Sequence, residues 1–192
     1  YLLSTGTPDT VSTVEITDID QAIIDEAIAR WQASGLVPVG AVDLTTLTFL
    51  VDDLAGDALA EAVGTTITID ITADGFGWFI DTTPSDDSEF NGTGPAGVDL
   101  LTVVMHEIGH VLGLGHPPTP RDATMYAEAE PGETSKRDLD CDDRNAIVFK
   151  YPAGTPNGYC DPPAPGCGYC APPLSLTRTA DVYVSNVDDG SD

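Results

Sequence analysis

Residues 106–116 contain all three histidines of the chain and read His-Glu-Ile-Gly-His-Val-Leu-Gly-Leu-Gly-His. Positions four apart lie on one face of an α-helix, so His106 and His110 aim their rings at one point. Glu107 is adjacent to the first ring and flanks that point rather than entering it. Three imidazole ligands leave a fourth zinc position open for water, as in catalytic zinc sites. The spacing therefore predicts a zinc ion that hydrolyses peptide bonds.

A turn must bring the third ring, that of His116, to the same point. His116 follows His110 by six residues, so a continuing helix would carry it off the metal-facing side. Gly113 supplies the helix end, because glycine accepts the left-handed conformation at low steric cost. A histidine-rich surface helix is the alternative. It is disfavoured because the neighbouring residues are apolar: Val103, Val104, Ile108, Val111 and Leu112.

The eleven-residue segment resembles the zinc signature of the metzincin metallopeptidases, and two further segments make the chain similar to the matrixin branch. Residues 123–126, Ala-Thr-Met-Tyr, resemble the family's Met-turn, in which Met125 packs beneath the zinc site. Residues 142–147, followed by Tyr151 and Pro152, resemble the matrixin C-terminal helix, whose paired aspartates support that turn. A proline directly after the third histidine, Pro117, is similar to the serralysin branch of the metzincins. That branch is the second choice, because the calcium-binding repeats typical of it are missing from this chain.

The resemblance implies an α+β, sandwich-like fold over residues 1–152, as in a bacterial-style secreted member of the family. We expect a mixed twisted sheet, an N-terminal helix, the zinc-binding helix and a C-terminal helix. It also implies a secreted zinc endopeptidase in which Glu107 is the general base and Gly113 and Met125 support the site. The expected zinc ligands are His106, His110 and His116. No histidine remains for the second, structural zinc that matrixins usually carry.

A secreted binding or adhesion module that keeps the zinc scaffold with little hydrolysis is the alternative function. Residues 127–131 lack the Pro-x-Tyr wall that usually shapes the main specificity pocket of matrixins, and a long tail follows. An intact Glu107 and an open metal position speak against this alternative.

Three further segments have periodicities that predict regular structure. Residues 18–34 repeat apolar positions at helical spacing, whereas residues 45–51 and 65–71 alternate as strands do. Between the two strands lies a segment that resembles the matrixin edge strand, to which an extended substrate adds by backbone hydrogen bonds. Its residues, the candidate substrate-binding set, are Leu59, Ala60, Glu61 and Ala62. A short helical turn is the alternative, because Ala-Glu-Ala favours helix.

Composition fits an extracellular enzyme that acts on protein or peptide substrates, and we expect a monomer. The formal net charge is −25, from 32 acidic and 7 basic side chains, which disfavours nucleic-acid binding. No apolar run approaches the ~20 residues of a membrane span, and the first residues do not read as an intact signal peptide. The negative field either attracts calcium and cationic substrates or is a solvated acidic surface.

The acidic loop at residues 81–90 suits a structural calcium ion, although a plain solvated loop explains it equally well.

Residues 153–192 read as a tail rich in proline, glycine and cysteine. The chain has four cysteines: Cys141, Cys160, Cys167 and Cys170. If all four are paired, every possible connectivity joins Cys141 to the tail.

Overall fold

The computed structural model describes residues 2–4, 13–14, 19–38, 40–90, 94–151 and 167. Its α-helices are α1 (Gln21–Ala33), α2 (Leu100–Val111) and α3 (Cys141–Lys150). Its strands are β1 (Leu2–Ser4), β2 (Thr48–Asp52), β3 (Ala58–Val63), β4 (Thr66–Asp70), β5 (Trp78–Phe79), β6 (Val98–Asp99) and β7 (Glu128–Ala129). Three short 3-10 helices cover Leu44–Thr46, Asp87–Phe90 and Ser135–Arg137. The helices and the mixed sheet agree with the expected α+β fold.

Five strands form one mixed sheet in the order β2-β4-β3-β1-β7, and β5 and β6 form a separate parallel pair. In the large sheet β2 runs parallel to β4, β3 runs antiparallel to β4 and to β1, and β1 runs parallel to β7. The alternation predicted over residues 65–71 is that of β4, where Ile67 and Ile69 are buried and Thr66 and Thr68 are half-buried. Helix α2 packs between this sheet and α1.

Helix α1 begins later than the predicted residue 18, because the Asp20 carboxylate accepts a hydrogen bond from the Ala22 backbone N–H at 3.1 Å and caps the helix. The predicted apolar face is confirmed. Ile23, Ala27 and Trp31 are fully buried. The indole N–H of Trp31 donates to the carbonyl of Met105 in α2 at 3.0 Å, so this face fastens one helix to the other.

The strand predicted from residue 45 starts at Thr48 instead. Asp43 accepts hydrogen bonds from both the backbone N–H and the hydroxyl of Thr45, at 3.1 and 2.6 Å. These local bonds stabilise a 3-10 turn in place of the first strand residues. From Thr48 onward the alternation is present, with Phe49 and Val51 half-buried.

The segment proposed to bind substrate, residues 59–62, lies within β3, so the strand interpretation is correct and the helical turn is wrong. Its expected position at an edge of the sheet is also wrong. Strand β1 pairs with β3 on the side away from β4, which places β3 inside the sheet. Nothing local in residues 59–62 signals this partner, because it comes from more than fifty residues earlier in the chain.

A buried guanidinium joins three parts of the fold. Arg137, only 1% exposed, donates two hydrogen bonds to Asp99, at 2.6 and 2.7 Å, and one to Asp81 at 2.8 Å. It also donates to Asp87 at 2.7 Å and lies 4.5 Å from the centre of the Phe90 ring. Burial alone lowers the pKa of Arg137, but the hydrogen bonds and charges of these carboxylates outweigh burial and raise it above its ordinary value. The acidic loop and the start of α2 therefore share one cation.

Arg30 on α1 also contacts the acidic loop. Its guanidinium pairs with Glu26 at 2.7 Å and with Asp87 at 2.9 Å, and donates to the carbonyl of Pro84 at 2.9 Å. Two carboxylates of the loop that the sequence assigned to calcium, Asp81 and Asp87, are thus bound to arginine.

At the C-terminal end of the domain, Cys141, the first residue of α3, is paired with Cys167, with 5.4 Å between their Cα atoms. A bridge from Cys141 to the tail is what the sequence predicts if all four cysteines are paired. Cys160 and Cys170 lie outside the described residues, as does nearly all of the tail. None of the described helices is long and apolar enough to cross a membrane.

Replacing Arg137 by methionine tests the ionic cluster. The Arg137→Met variant leaves the buried carboxylates of Asp81 and Asp99 without their cation, and we expect the free energy of unfolding to fall by about 3–5 kcal/mol. The matched control is Arg121→Met, because Arg121 forms one ion pair at the surface and its loss costs less than about 1 kcal/mol. Urea unfolding followed by circular dichroism measures both. Equal effects of the two substitutions would contradict the assigned role of Arg137.

Candidate metal centre

Helix α2 carries two of the three histidines, and its start is fixed by Asp99. The Asp99 carboxylate accepts hydrogen bonds from the backbone N–H and the hydroxyl of Thr102, at 3.0 and 2.7 Å. The helix is buried from its first residue through Gly109, as expected for a helix that is apolar nearly all round. His106 and His110 therefore project from a rigid, water-poor element.

The helix ends where the sequence predicts. Gly113 has a φ of 80°, in the left-handed region. Its N–H donates to the carbonyl of His110 at 2.8 Å, and the next N–H, of Leu114, donates to the carbonyl of Gly109 at 3.0 Å. This pair of bonds is the Schellman arrangement that closes helices. The chain then reverses and returns His116 to the same side as the two helical histidines.

The three imidazole rings converge. The Nε2 atoms of His106 and His110 lie 3.1 Å apart, and each lies 3.0 Å from Nε2 of His116. Among the residues that the structure describes, no other three histidine, cysteine or acidic side chains come together in a way that suits a metal. The convergence predicted from spacing is confirmed.

Backbone carbonyls fix which ring nitrogens carry protons. Nδ1 of His106 lies 2.7 Å from the carbonyl oxygen of Thr124, and Nδ1 of His110 lies 2.9 Å from that of Leu114. A carbonyl oxygen only accepts, so both Nδ1 atoms donate and both Nε2 atoms present lone pairs. Burial lowers the pKa of His106 well below its usual range, that of His110 to about 3 and that of His116 to about 4. Repulsion from neighbouring rings adds to the effect at His106 and His110.

These neutral rings fit a zinc ion. Lone pairs that face one another at about 3 Å repel unless a cation lies among them, and zinc accepts neutral imidazole nitrogen. Carbonyl acceptors on the far ring nitrogens are also the usual outer partners of zinc-binding histidine. The chemistry of the donor set therefore matches the metal that the sequence predicted.

Glu107 follows His106 on α2 and is fully buried. Neither of its carboxylate oxygens makes a hydrogen bond of normal geometry to any described residue. Burial raises the pKa of Glu107 to about 7, and the charge of Glu61 adds to the rise, while the nearby backbone N–H groups of Leu2 and Ala62 oppose it. A buried carboxylate without a partner is costly, so its retention here needs a reason beyond packing.

Met125 packs beneath the helix that carries the histidines, as the resemblance implied, and is fully buried. A Cβ atom built on Gly109 would overlap the Met125 sulfur and lie 3.0 Å from the Trp31 ring. The bare backbone of Gly109 thus lets both side chains reach the helix between its two histidines. Sequence reasoning missed this residue, although glycine inside a helix costs about 1 kcal/mol and so signals a close approach.

Asp143 holds the turn that carries Met125. One carboxylate oxygen accepts from the N–H of Thr124 at 2.8 Å and of Asp140 at 2.9 Å, and the other accepts from that of Met125 at 3.0 Å. Burial raises the pKa of Asp143 to about 7, against the effect of these three donors. Because the carbonyl of Thr124 orients the His106 ring, Asp143 acts on the metal centre through this turn.

Sequence similarity to known proteins agrees with this geometry. A protein-family model described as matrixin matches residues 52–152, more than half of the chain. Metalloendoproteinase 1-MMP of Arabidopsis thaliana is 42% identical over 65 residues, covering 34% of this chain and 17% of that protein. Metalloendoproteinase 4-MMP of the same plant is 52% identical over 54 residues, covering 28% and 15%. Matrix metalloproteinase-21 of Cynops pyrrhogaster is 36% identical over 124 residues, covering 62% and 19%. The chain thus spans less than a fifth of each of these relatives.

An asparagine at position 143 tests the support of the metal centre. In Asp143→Asn an amide NH2 faces backbone N–H groups, and each buried donor left unpaired costs about 1–3 kcal/mol. We also expect zinc affinity to fall by about 10–100-fold, because His106 loses its orientation. Asp138→Asn, an exposed change in the same region, is the control. Competition with a chromophoric chelator measures affinity, and wild-type affinity in Asp143→Asn would contradict the assignment.

Proposed function

The chain belongs to the matrixin family, and we propose that it is a zinc-dependent endopeptidase with Glu107 as its general base. One observation carries the proposal. Three imidazole Nε2 atoms converge, and the helix that carries two of them also carries Glu107, a fully buried carboxylate that makes no hydrogen bond of normal geometry to a described residue. A purely structural site has no use for such a carboxylate.

His106, His110 and His116 would hold the zinc through Nε2, because those are the atoms that converge. When bound, zinc supplies a Lewis acid that polarises a peptide carbonyl and lowers the pKa of a water molecule. The carbonyls of Thr124 and Leu114 accept from the far nitrogens of two rings, which keeps those rings oriented and strengthens them as ligands.

Glu107 moves the proton. Its carboxylate accepts a proton from the water that attacks the peptide carbonyl carbon, and delivers a proton to the amide nitrogen as the C–N bond breaks. Burial places the pKa of this carboxyl at about 7, so it both accepts and releases a proton near neutral pH. Its oxygens make no hydrogen bond of normal geometry to a described residue, although the N–H groups of Leu2 and Ala62 lie near, so they can accept this proton.

The substrate is a polypeptide, and the strand expected to align it is β3, whose two sides are taken by β4 and β1. The candidate residues on that strand are Leu59, Ala60, Glu61 and Ala62. The strand passes close to the catalytic carboxylate, since the N–H of Ala62 lies near Glu107. These residues therefore lie near the general base, although β3 is an interior strand of the sheet.

Secretion is part of the proposal, and the pairing of Cys141 with Cys167 supports it because disulfides persist outside the cell. We propose that this bridge links the tail, residues 153–192, to the catalytic domain. A calcium ion at residues 81–90 and a monomeric state remain predictions. The arginine contacts of Asp81 and Asp87 weaken the case for calcium.

Glutamine at position 107 tests the general base. The Glu107→Gln variant keeps the volume of the side chain but cannot take up a proton, so we expect cleavage of casein or gelatin to fall by at least about 100-fold. Zinc content, measured by atomic absorption, should stay at one ion per chain. Glu130→Gln, at an exposed position, serves as the matched control.

Two results would argue against the proposal in different ways. Full activity in Glu107→Gln would show that another group is the base. Zinc-loaded protein without chelator-sensitive cleavage of any peptide in a proteome-derived library would favour the binding or adhesion module.

A further inference from the structure

The end of α2 leaves backbone carbonyls that no N–H of the helix reaches. The N–H groups of Gly113 and Leu114 satisfy two of them. The carbonyl of Leu112, the C-cap residue, instead lies 2.9 Å from the hydroxyl of Tyr151. A carbonyl oxygen only accepts, so the hydroxyl is the donor. A side chain from outside the helix therefore completes the hydrogen bonds of this turn.

Tyr151 is itself held in place by the end of α3. It is the C-cap residue of that helix, and its backbone N–H donates to the carbonyl of Ile147 at 2.8 Å. Its side chain is half-buried and packs against the core. Burial raises the pKa of Tyr151 above its ordinary value, so the hydroxyl keeps its proton. The donor thus has a fixed position and a fixed protonation state.

Lys150 contacts the same turn from the same helix. A Cβ atom built on Gly113 would lie 2.8 Å from Nζ of Lys150 and 2.9 Å from its Cε. The ammonium group thus lies against the backbone that ends α2, where the helix dipole favours a positive charge. Two consecutive residues at the end of α3 therefore meet the turn that follows α2.

This turn carries information for two of the three imidazole rings. The carbonyl of Leu114 accepts from Nδ1 of His110 at 2.9 Å, and His116 follows Leu114 by two residues. A shift of the turn therefore changes the orientation of one ring and the position of the other. Outer contacts of this kind set metal affinity, because they fix the ligands before the ion arrives.

The two ends of α3 act on different parts of the metal centre. At its start, Asp143 holds the turn whose carbonyl, from Thr124, orients the His106 ring. At its end, Tyr151 holds the turn that leads to His116. One helix of 10 residues thus connects the supports on both sides of the site.

We propose that Tyr151 is a positioning residue of the metal centre, whose hydroxyl fixes residues 112–114 and thereby keeps His110 and His116 in place to bind zinc. This inference rests on the zinc centre of the proposed function. Tyr151 acts through the turn rather than on the ion. Without its hydroxyl the turn is held less firmly, the fraction of molecules with all three rings in place falls, and the apparent affinity for zinc falls with that fraction.

Phenylalanine at position 151 removes only the hydroxyl. We expect Tyr151→Phe to weaken zinc binding by about fivefold, the effect of losing one hydrogen bond that fixes the site. Competition with a chromophoric chelator measures zinc affinity on the full chain and does not depend on turnover. Wild-type affinity in Tyr151→Phe overturns the inference.

Ser34→Ala is the matched control, because it also removes a hydroxyl from the end of a helix. The Ser34 hydroxyl donates to the carbonyl of Trp31 at 2.6 Å, at the end of α1 and not at the turn that carries the ligands. We expect zinc affinity to stay at the wild-type value in this variant. An equal loss of affinity in Ser34→Ala and Tyr151→Phe would make the effect one of general stability and overturns the positioning role.

Hydrogen exchange on the zinc-free protein reads the turn directly. In Tyr151→Phe we expect the amides of Gly113 and Leu114 to exchange about fivefold faster than in wild type, because local opening becomes easier. The amide of Gly35, which donates to the carbonyl of Gln32 at the end of α1, should be unchanged. Ser34→Ala should give the reverse pattern. Unaltered exchange at residues 113 and 114 in Tyr151→Phe overturns the inference.

Failure of the proposed function gives a different result. Zinc-loaded wild-type protein that cleaves no peptide in a chelator-sensitive way overturns the endopeptidase assignment. Wild-type cleavage together with wild-type zinc affinity in Tyr151→Phe overturns this inference alone.

Discussion

Three imidazole Nε2 atoms held about 3 Å from one another, on rings that range from buried His106 to exposed His116, are the constraint on which the rest of this structure depends. The arrangement is unfavourable for the empty protein and becomes favourable only around a cation, so the surrounding chain has to hold it in place. Gly113 turns the chain back so that the third ring arrives. Thr124 orients the His106 ring, and Asp143 orients Thr124 in turn. The free energy needed to hold the rings together is thus supplied by groups outside the metal-binding residues: a helix end, a turn and a buried carboxylate.

The metal centre could be predicted from sequence because its information is local. Two rings share a helix face by spacing alone, and one glycine sets the turn to the third. Helix α1 was also predictable, from the helical spacing of its apolar residues. Its first residue, however, is set by the cap at Asp20 and not by that spacing. What the sequence could not show are contacts between distant segments. The pairing of β1 with β3 has no periodic signature in three residues, and Arg137 meets Asp81 and Asp99 across separations of 56 and 38 residues.

The few basic side chains of this chain are used mainly to neutralise carboxylates inside the fold. The chain has 7 basic side chains against 32 acidic ones, yet it buries the side chains of Lys136 and Arg137 and most of that of Arg30. Each of these cations neutralises carboxylates that packing has brought together. Arg137 does so for two that are almost fully buried, where an unpaired charge is least tolerable. The negative field outside is therefore partly a result of where the few positive charges are needed inside.

The close packing of Met125 against Gly109 has a consequence for chemical durability. A thioether is readily oxidised when solvent reaches it, and the resulting sulfoxide is larger and polar. Here the sulfur is sealed between the glycine backbone and the Trp31 ring, with no exposed surface. Peroxide can attack it only after the helix and the indole have separated. The residue that supports the reaction centre is thus shielded from oxidants as long as the native packing lasts.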